Sequence, residues 1–140
     1  MDAGCVSDIA AVAALWVGLL YDKESLEEVY EYISGWKLRA LQEVRSLVPV
    51  KGLNAASGDI HAGKIAKHIY GIALKGLTRR SETSGTEDES RFLEPVRRIL
   101  DSGITQAEQF LQLFREDVNE NLKDIVYIWQ RIQLEKCPDQ

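Results

Sequence analysis

The sequence lacks the features of an exported or membrane-spanning chain. No lysine or arginine precedes the uncharged run from Ile9 to Tyr21, so the basic segment that begins an export signal is missing. The run itself is too short to cross a bilayer, which takes about 20 apolar residues. The chain also has no sustained basic face, because its net charge is -5 and the two signs are intermixed. We therefore expect neither nucleic acid nor a membrane as a partner.

Cysteine is scarce, and its placement does not suggest a disulfide framework. Cys5 and Cys137 lie near opposite ends of the chain and form no CxxC motif. Two such residues are typical of free thiols in a reducing compartment. We therefore expect a cytoplasmic protein, with a disulfide between Cys5 and Cys137 as the alternative that spacing leaves open.

Apolar residues, by contrast, are abundant and are arranged for helices. Hydrophobic residues make up 45% of the 140 positions, enough for a single domain spanning 1–140 with its own core. The run from Ile9 to Tyr21 has no polar stripe, which predicts a central helix buried on nearly all sides. No segment alternates with a period of two over more than a few residues. The sequence therefore predicts an all-α bundle of six or seven helices.

Capping residues and glycines divide the rest of the chain into helices. Asp22 or Ser25 can cap the second helix, with Ser25 to Glu28 in capping-box form. Gly35 ends the second helix and Pro49 ends the third. A long helix is predicted from Asp59 to about Arg80, and another from near Glu94 to Gly103. Thr105 to Glu108 forms a second capping box, and the last helix is predicted from Asn119 to about Leu134. Glycines 63, 71 and 76 in the long helix indicate close packing against a neighbouring helix. The polar segment 81–88 is predicted to be a disordered loop. Extended structure is expected only in short pieces near 1–6 or 48–54.

Two patterns resemble chemical motifs but lack the necessary context. Gly58 to Lys64 matches the first seven positions of a phosphate-binding loop, yet Ile65 stands where a serine or threonine should bind magnesium. A loop followed by a helix start is the better interpretation.

His61 and His68 would lie about 10 Å apart along a helix axis, too far for one metal ion. The sequence contains no Gly-x-Ser-x-Gly elbow. We assign no catalytic residue and no metal ligand.

Several longer segments resemble one enzyme family. The segments are Asp2-Ala3-Gly4, Ala14 to Asp22, Val48 to Leu53, Ile72 to Arg80, Phe92-Leu93 and Gly103 to Glu108. In this order and spacing they are similar to the C-terminal third of plant and proteobacterial glutamate-cysteine ligases. The resemblance covers residues 2–114.

The resemblance implies an ATP- and magnesium-dependent enzyme that joins glutamate to cysteine in glutathione synthesis. In that family the magnesium and ATP ligands belong to an antiparallel sheet of a glutamine-synthetase-like fold, upstream of the segment that this chain resembles. The chain is therefore expected to be the helical region, cut at the edge of the sheet, with no cofactor bound by this chain alone. Asp2, Gly4 and Cys5 would lie next to the substrate.

The chain also departs from the family pattern. Cys5 and Val6 stand where plant members carry Pro-Trp, and Ala10 stands where they carry a cysteine implicated in redox control. We therefore expect that regulation to be absent. After Phe114 the charged amphipathic segment to Leu134 replaces the Gly-x-Trp-x-Gly pattern of the family.

Two functional hypotheses follow. The chain is either a ligase fragment that is inactive without the missing N-terminal catalytic part, or a stand-alone helical interaction module that forms homo-oligomers. In both cases the apolar surface that the missing sheet would cover has to be buried against another partner. A symmetric dimer is the first expectation. The self-association patch is predicted to comprise Leu15, Trp16, Leu19 and Ile69.

Overall fold

The computed structural model describes residues 6–117 and 126–127, and these residues are almost entirely helical. The helices are α1 (Val6–Leu20), α2 (Lys23–Ser34), α3 (Leu38–Lys51), α4 (Ala62–Ser84), α5 (Glu94–Ser102) and α6 (Gln106–Asp117). Two 3-10 turns cover Gly52–Asn54 and Glu89–Leu93. The predicted all-α class is confirmed, with six α-helices in the described part of the chain.

The core lies where α1 crosses α4. Its buried side chains come from both helices and from the 3-10 turn before α5: Ala14, Leu19, Ile72, Ala73, Leu77 and Leu93. Gly18 and Gly76 face each other at the crossing, and a Cβ atom added to either would overlap the backbone of the opposite helix. The two backbones therefore touch directly. The predicted close packing against a neighbouring helix is confirmed at Gly76 and is wrong at Gly71, where an added Cβ would meet nothing within 4 Å among the described residues. At Gly63 an added Cβ would lie 2.9 Å from the Leu53 carbonyl oxygen, in the 3-10 turn Gly52–Asn54.

The capping residues in the sequence predicted most helix ends correctly. Asp22 caps α2 by accepting a hydrogen bond from the Ser25 amide at 2.9 Å. Gly103 ends α5 with φ of 70°, in the left-handed region that glycine favours. The second capping box is confirmed, because the Glu108 carboxylate accepts from the Thr105 amide at 2.7 Å and the Glu108 amide donates to the Thr105 hydroxyl at 3.3 Å.

Some helix ends, and the place of the extended structure, differ from the prediction. Helix α3 continues through Pro49 to Lys51, because a proline removes one amide donor but keeps a helical φ. Extended structure occurs at β1 (Ala56–Ser57) and β2 (Ile60–His61), an antiparallel pair, and not near 48–54. This pair and the first turn of α4 account for the Gly58 to Lys64 pattern, as the loop-and-helix interpretation predicted.

The polar segment predicted as a loop over 81–88 is helical as far as Ser84. The hydroxyls of Ser81, Thr83 and Ser84 donate to the carbonyl oxygens of the preceding turn, so these residues satisfy their polar groups within the helix. Gly85 then ends α4 with φ of 65°. Only residues 85–88 connect α4 to the next turn.

The predicted last helix, 119–134, lies largely outside the described residues. Val126 and Tyr127 are helical and exposed. Asp2, Gly4, Cys5 and Cys137 also lie outside the described residues. Among the described helices, none combines the length and the apolar character needed to cross a membrane.

Candidate functional site

The outer side of α1 is an apolar surface that nothing in the described part of the chain covers. We call it the α1 stripe, and it comprises Val6, Ile9, Val12, Trp16 and Leu20. Their exposed fractions are 63%, 59%, 45%, 56% and 48%. Spacings of three and four residues place all five on one side of the helix. The expectation that α1 is buried on nearly all sides is therefore wrong for the chain by itself.

The predicted self-association patch does not coincide with this stripe. Leu19 is a core residue, while Leu15 and Ile69 are partly buried against the same core. Trp16 is the one member of the predicted set that belongs to the stripe. The helix buries its small residues Ala11, Ala14 and Gly18. Gly18 contacts the backbone of α4 and Ala14 packs in the core beside it, so the close contact is made by small residues and the bulky residues of the stripe stay exposed.

A polar clamp holds the C-terminal end of α1 and the start of α2 on α4. The Arg79 guanidinium donates to the Asp22 carboxylate through Nη2 at 2.5 Å and Nε at 3.1 Å. The same Nη2 donates to the Ser25 hydroxyl at 2.9 Å, and that hydroxyl donates to the Ile72 carbonyl oxygen at 3.2 Å. Ser25 is fully buried, so its polar group is satisfied where water cannot reach it.

The charge of Asp22 is stabilised by this clamp. The hydrogen bond from Arg79 lowers the pKa of the Asp22 carboxyl from 3.8 to about 2, against a smaller opposing effect of burial. The Arg79 pKa is raised for the same reason. The pair is therefore ionised throughout the physiological range. Sequence reasoning identified Asp22 as a cap but gave no indication of Arg79, since the two residues are far apart in the chain.

A polar cleft of about 380 Å³ lies beside the N-terminal half of α1, between α5 and α6. Its lining includes Asp8, Arg98, Asp101 and Gln106. The Gln106 amide nitrogen donates to the Asp8 carboxylate at 3.0 Å and so connects α6 to the first turn of α1. The cleft contains both signs of charge, which favours no single class of ligand.

Metal-ligating side chains are not clustered among the described residues. Across 6–117 and 126–127, no group of three histidine, cysteine, aspartate or glutamate side chains is placed to hold a metal ion. No reaction step is therefore assigned to these residues. What this part of the molecule offers is a helical body whose α1 stripe is exposed among the described residues.

Comparison with known proteins identifies the class of such a helical body. The profile of glutamate-cysteine ligase family 2 matches residues 1–127. The chain therefore belongs to the glutamate-cysteine ligase family, as the sequence segments predicted.

Its relatives include chloroplastic enzymes from several plants. Glutamate-cysteine ligase A of Oryza sativa subsp. indica is 35% identical over 113 residues, 81% of this chain and 22% of that protein. The enzyme of Nicotiana tabacum is 33% identical over 113 residues, 81% of this chain and 21% of the enzyme. The enzyme of Arabidopsis thaliana is 29% identical over 124 residues, 89% of this chain and 23% of the enzyme. The chain thus spans about a fifth of the length of the curated relatives that it matches.

These names correct the expectation of a cytoplasmic protein. The relatives are chloroplastic, which points to the plastid. Cysteine usage could not reveal this, because two cysteines without a CxxC motif do not distinguish a plastid from the cytoplasm.

Proposed function

We propose that this chain supplies the C-terminal helical part of a plastid glutamate-cysteine ligase, the enzyme type that joins glutamate to cysteine with ATP. The observation that supports this most directly is the family match over residues 1–127, combined with its coverage of about a fifth of the relatives. The helical part contributes structure to the enzyme, and the remaining four fifths contribute the magnesium and ATP ligands.

The isolated chain is accordingly inactive as a ligase. Transfer of a phosphoryl group requires metal ions and cationic side chains around the developing charge. The described residues provide no such metal group, and Arg79 is already engaged by Asp22. A chain of this kind gains activity only together with the catalytic part.

The test measures ADP release that depends on both glutamate and cysteine. The isolated chain should give no more than a heat-treated control. A chimera in which this chain replaces the matching segment of the Oryza sativa enzyme should be active. An active isolated chain would show that catalytic groups lie within it, and a folded but inactive chimera would refute the assignment to a working ligase.

A further inference from the structure

We propose that the α1 stripe is the surface on which the catalytic part of the ligase packs, through an apolar and uncharged face of that part. This inference rests on the proposed function. It adds a specific contact surface, which makes α1 a helix enclosed between α4 on one side and the catalytic part on the other.

The composition of the stripe favours burial in the complete enzyme. Val6 to Leu20 extends about 21 Å along the helix axis, and no charged side chain interrupts the stripe on that side. A helix whose outer side faces solvent carries polar residues on that side. Asp8, the one charged residue of α1, lies instead at the α6 side, where Gln106 donates to it.

The opposite side of α1 is fixed, so the helix cannot rotate to hide the stripe. Gly18 is in backbone contact with Ala73 and Gly76 of α4, and Ala14 and Leu19 are part of the core. The Asp22 to Arg79 clamp holds the connection to α2. Rotation by one residue position would bring a bulky side chain into the contact made by Gly18 and would break the crossing.

The area of the stripe favours a partner from the same enzyme over a second copy of this chain. The exposed fractions of the five side chains correspond to about 500 Å², whereas a stable interface between separate proteins buries about 800 Å² per partner. Contacts between parts of one chain are commonly smaller, about 600–1,500 Å² in total. The stripe fits this range. In the relatives, about four fifths of the chain lies outside the matched segment and is available for the contact.

The experiment compares one substitution in two settings. Val12→Asp places a charge in the stripe, and Val50→Asp is the matched control, since Val50 is 83% exposed and lies on α3. In the dilute isolated chain, neither variant should change the melting temperature appreciably, because both side chains already face solvent. In the Oryza sativa chimera, Val12→Asp should lower the melting temperature by several degrees and Val50→Asp should not.

Each outcome decides the proposal. If Val12→Asp is no more harmful than Val50→Asp in the chimera, the stripe is not the contact surface. If Val12→Asp dissociates an oligomer of the isolated chain and leaves the chimera unchanged, a second copy is the partner and the proposal is wrong. A chimera that is inactive but sensitive to Val12→Asp would refute the proposed function while supporting the contact.

A second measurement applies if the chimera does not fold. The tagged chain is co-expressed with the Oryza sativa enzyme that lacks its matching segment, and the two are purified through the tag. The unchanged chain and Val50→Asp should retain the catalytic part, and Val12→Asp and Trp16→Asp should lose it. Failure of the unchanged chain to retain it, or equal retention by all four, would overturn the proposal.

Discussion

Replacing Gly76 by alanine should destabilise the protein, although alanine is the better helix former. An added Cβ atom would overlap the Gly18 carbonyl oxygen and would lie 2.6 Å from the Ser25 hydroxyl oxygen. The first contact is with backbone, so no side-chain rotation relieves it. The second is with a fully buried residue of the polar clamp.

The expected magnitude follows from two opposing effects. Alanine in place of glycine favours a helix by about 1 kcal/mol. Overpacking costs about 1–3 kcal/mol, and a clash with backbone at the centre of the core belongs at the upper end. Separation of α1 from α4 would also loosen Leu77 and Leu19, which pack in the same cluster. The net loss in free energy of unfolding should therefore be about 2 kcal/mol.

Urea denaturation followed by far-ultraviolet circular dichroism measures this loss. Gly71→Ala is the matched control, because Gly71 is on the same helix and an added Cβ would meet nothing within 4 Å. The control should be as stable as the unchanged protein, or more stable by up to about 1 kcal/mol. If Gly76→Ala proved as stable as Gly71→Ala, the direct backbone contact between α1 and α4 would be wrong.

Three further predictions test other contacts. Asp22→Asn keeps the helix cap but removes the charge; it should cost about 1 kcal/mol at neutral pH, since Arg79 is partly exposed to screening solvent. Because the Asp22 pKa is lowered from 3.8 to about 2 on folding, this contribution is fully present above pH 3.8 and is lost as the pH falls through 2, so the urea midpoints of the two proteins should converge in acid. Gly52→Ala should cost about 1–3 kcal/mol, since Gly52 has φ of 52° and an added Cβ would lie 3.0 Å from a Glu108 carboxylate oxygen; Gly35→Ala, with open space and a negative φ, should have no comparable effect on the melting temperature. Sedimentation of the isolated chain at micromolar concentration should show a monomer, because the α1 stripe is smaller than the about 800 Å² per partner of a stable interface between separate proteins; self-association that Trp16→Asp abolishes would instead support the dimer expected from the sequence.

The sequence predicted most of the helices because their ends are marked locally. Gly103 requires a conformation that other residues avoid, and Thr105 with Glu108 satisfies the first amides of α6, so these signals do not depend on the rest of the fold. The helical extension to Ser84 was missed because a polar segment gives no apolar period to follow. Hydroxyl groups that bond within the helix leave no mark in the hydrophobic pattern.

The orientation of α1 could not be derived in the same way. A helix that is apolar on every side gives no indication of which side faces its own domain. The choice is made by Gly18 and Gly76, whose lack of side chains allows the closest approach of the two helices. The predicted self-association patch was built from large residues such as Leu15 and Trp16, whereas the contact of α1 with α4 is made at glycines.

The segments that resemble the ligase family are also the ones that touch one another. Gly18 meets Gly76 and Asp22 binds Arg79, so the first helical segment is joined twice to the segment from Ile72 to Arg80. The Glu108 carboxylate, which caps α6, lies against Gly52 of the loop segment. These contacts hold the helices together, and the described part of the chain contains no group of three metal-ligating side chains. The family resemblance therefore follows the contacts that join α1, α4 and the loop segment, and the exposed α1 stripe is the surface that we propose the rest of the enzyme covers.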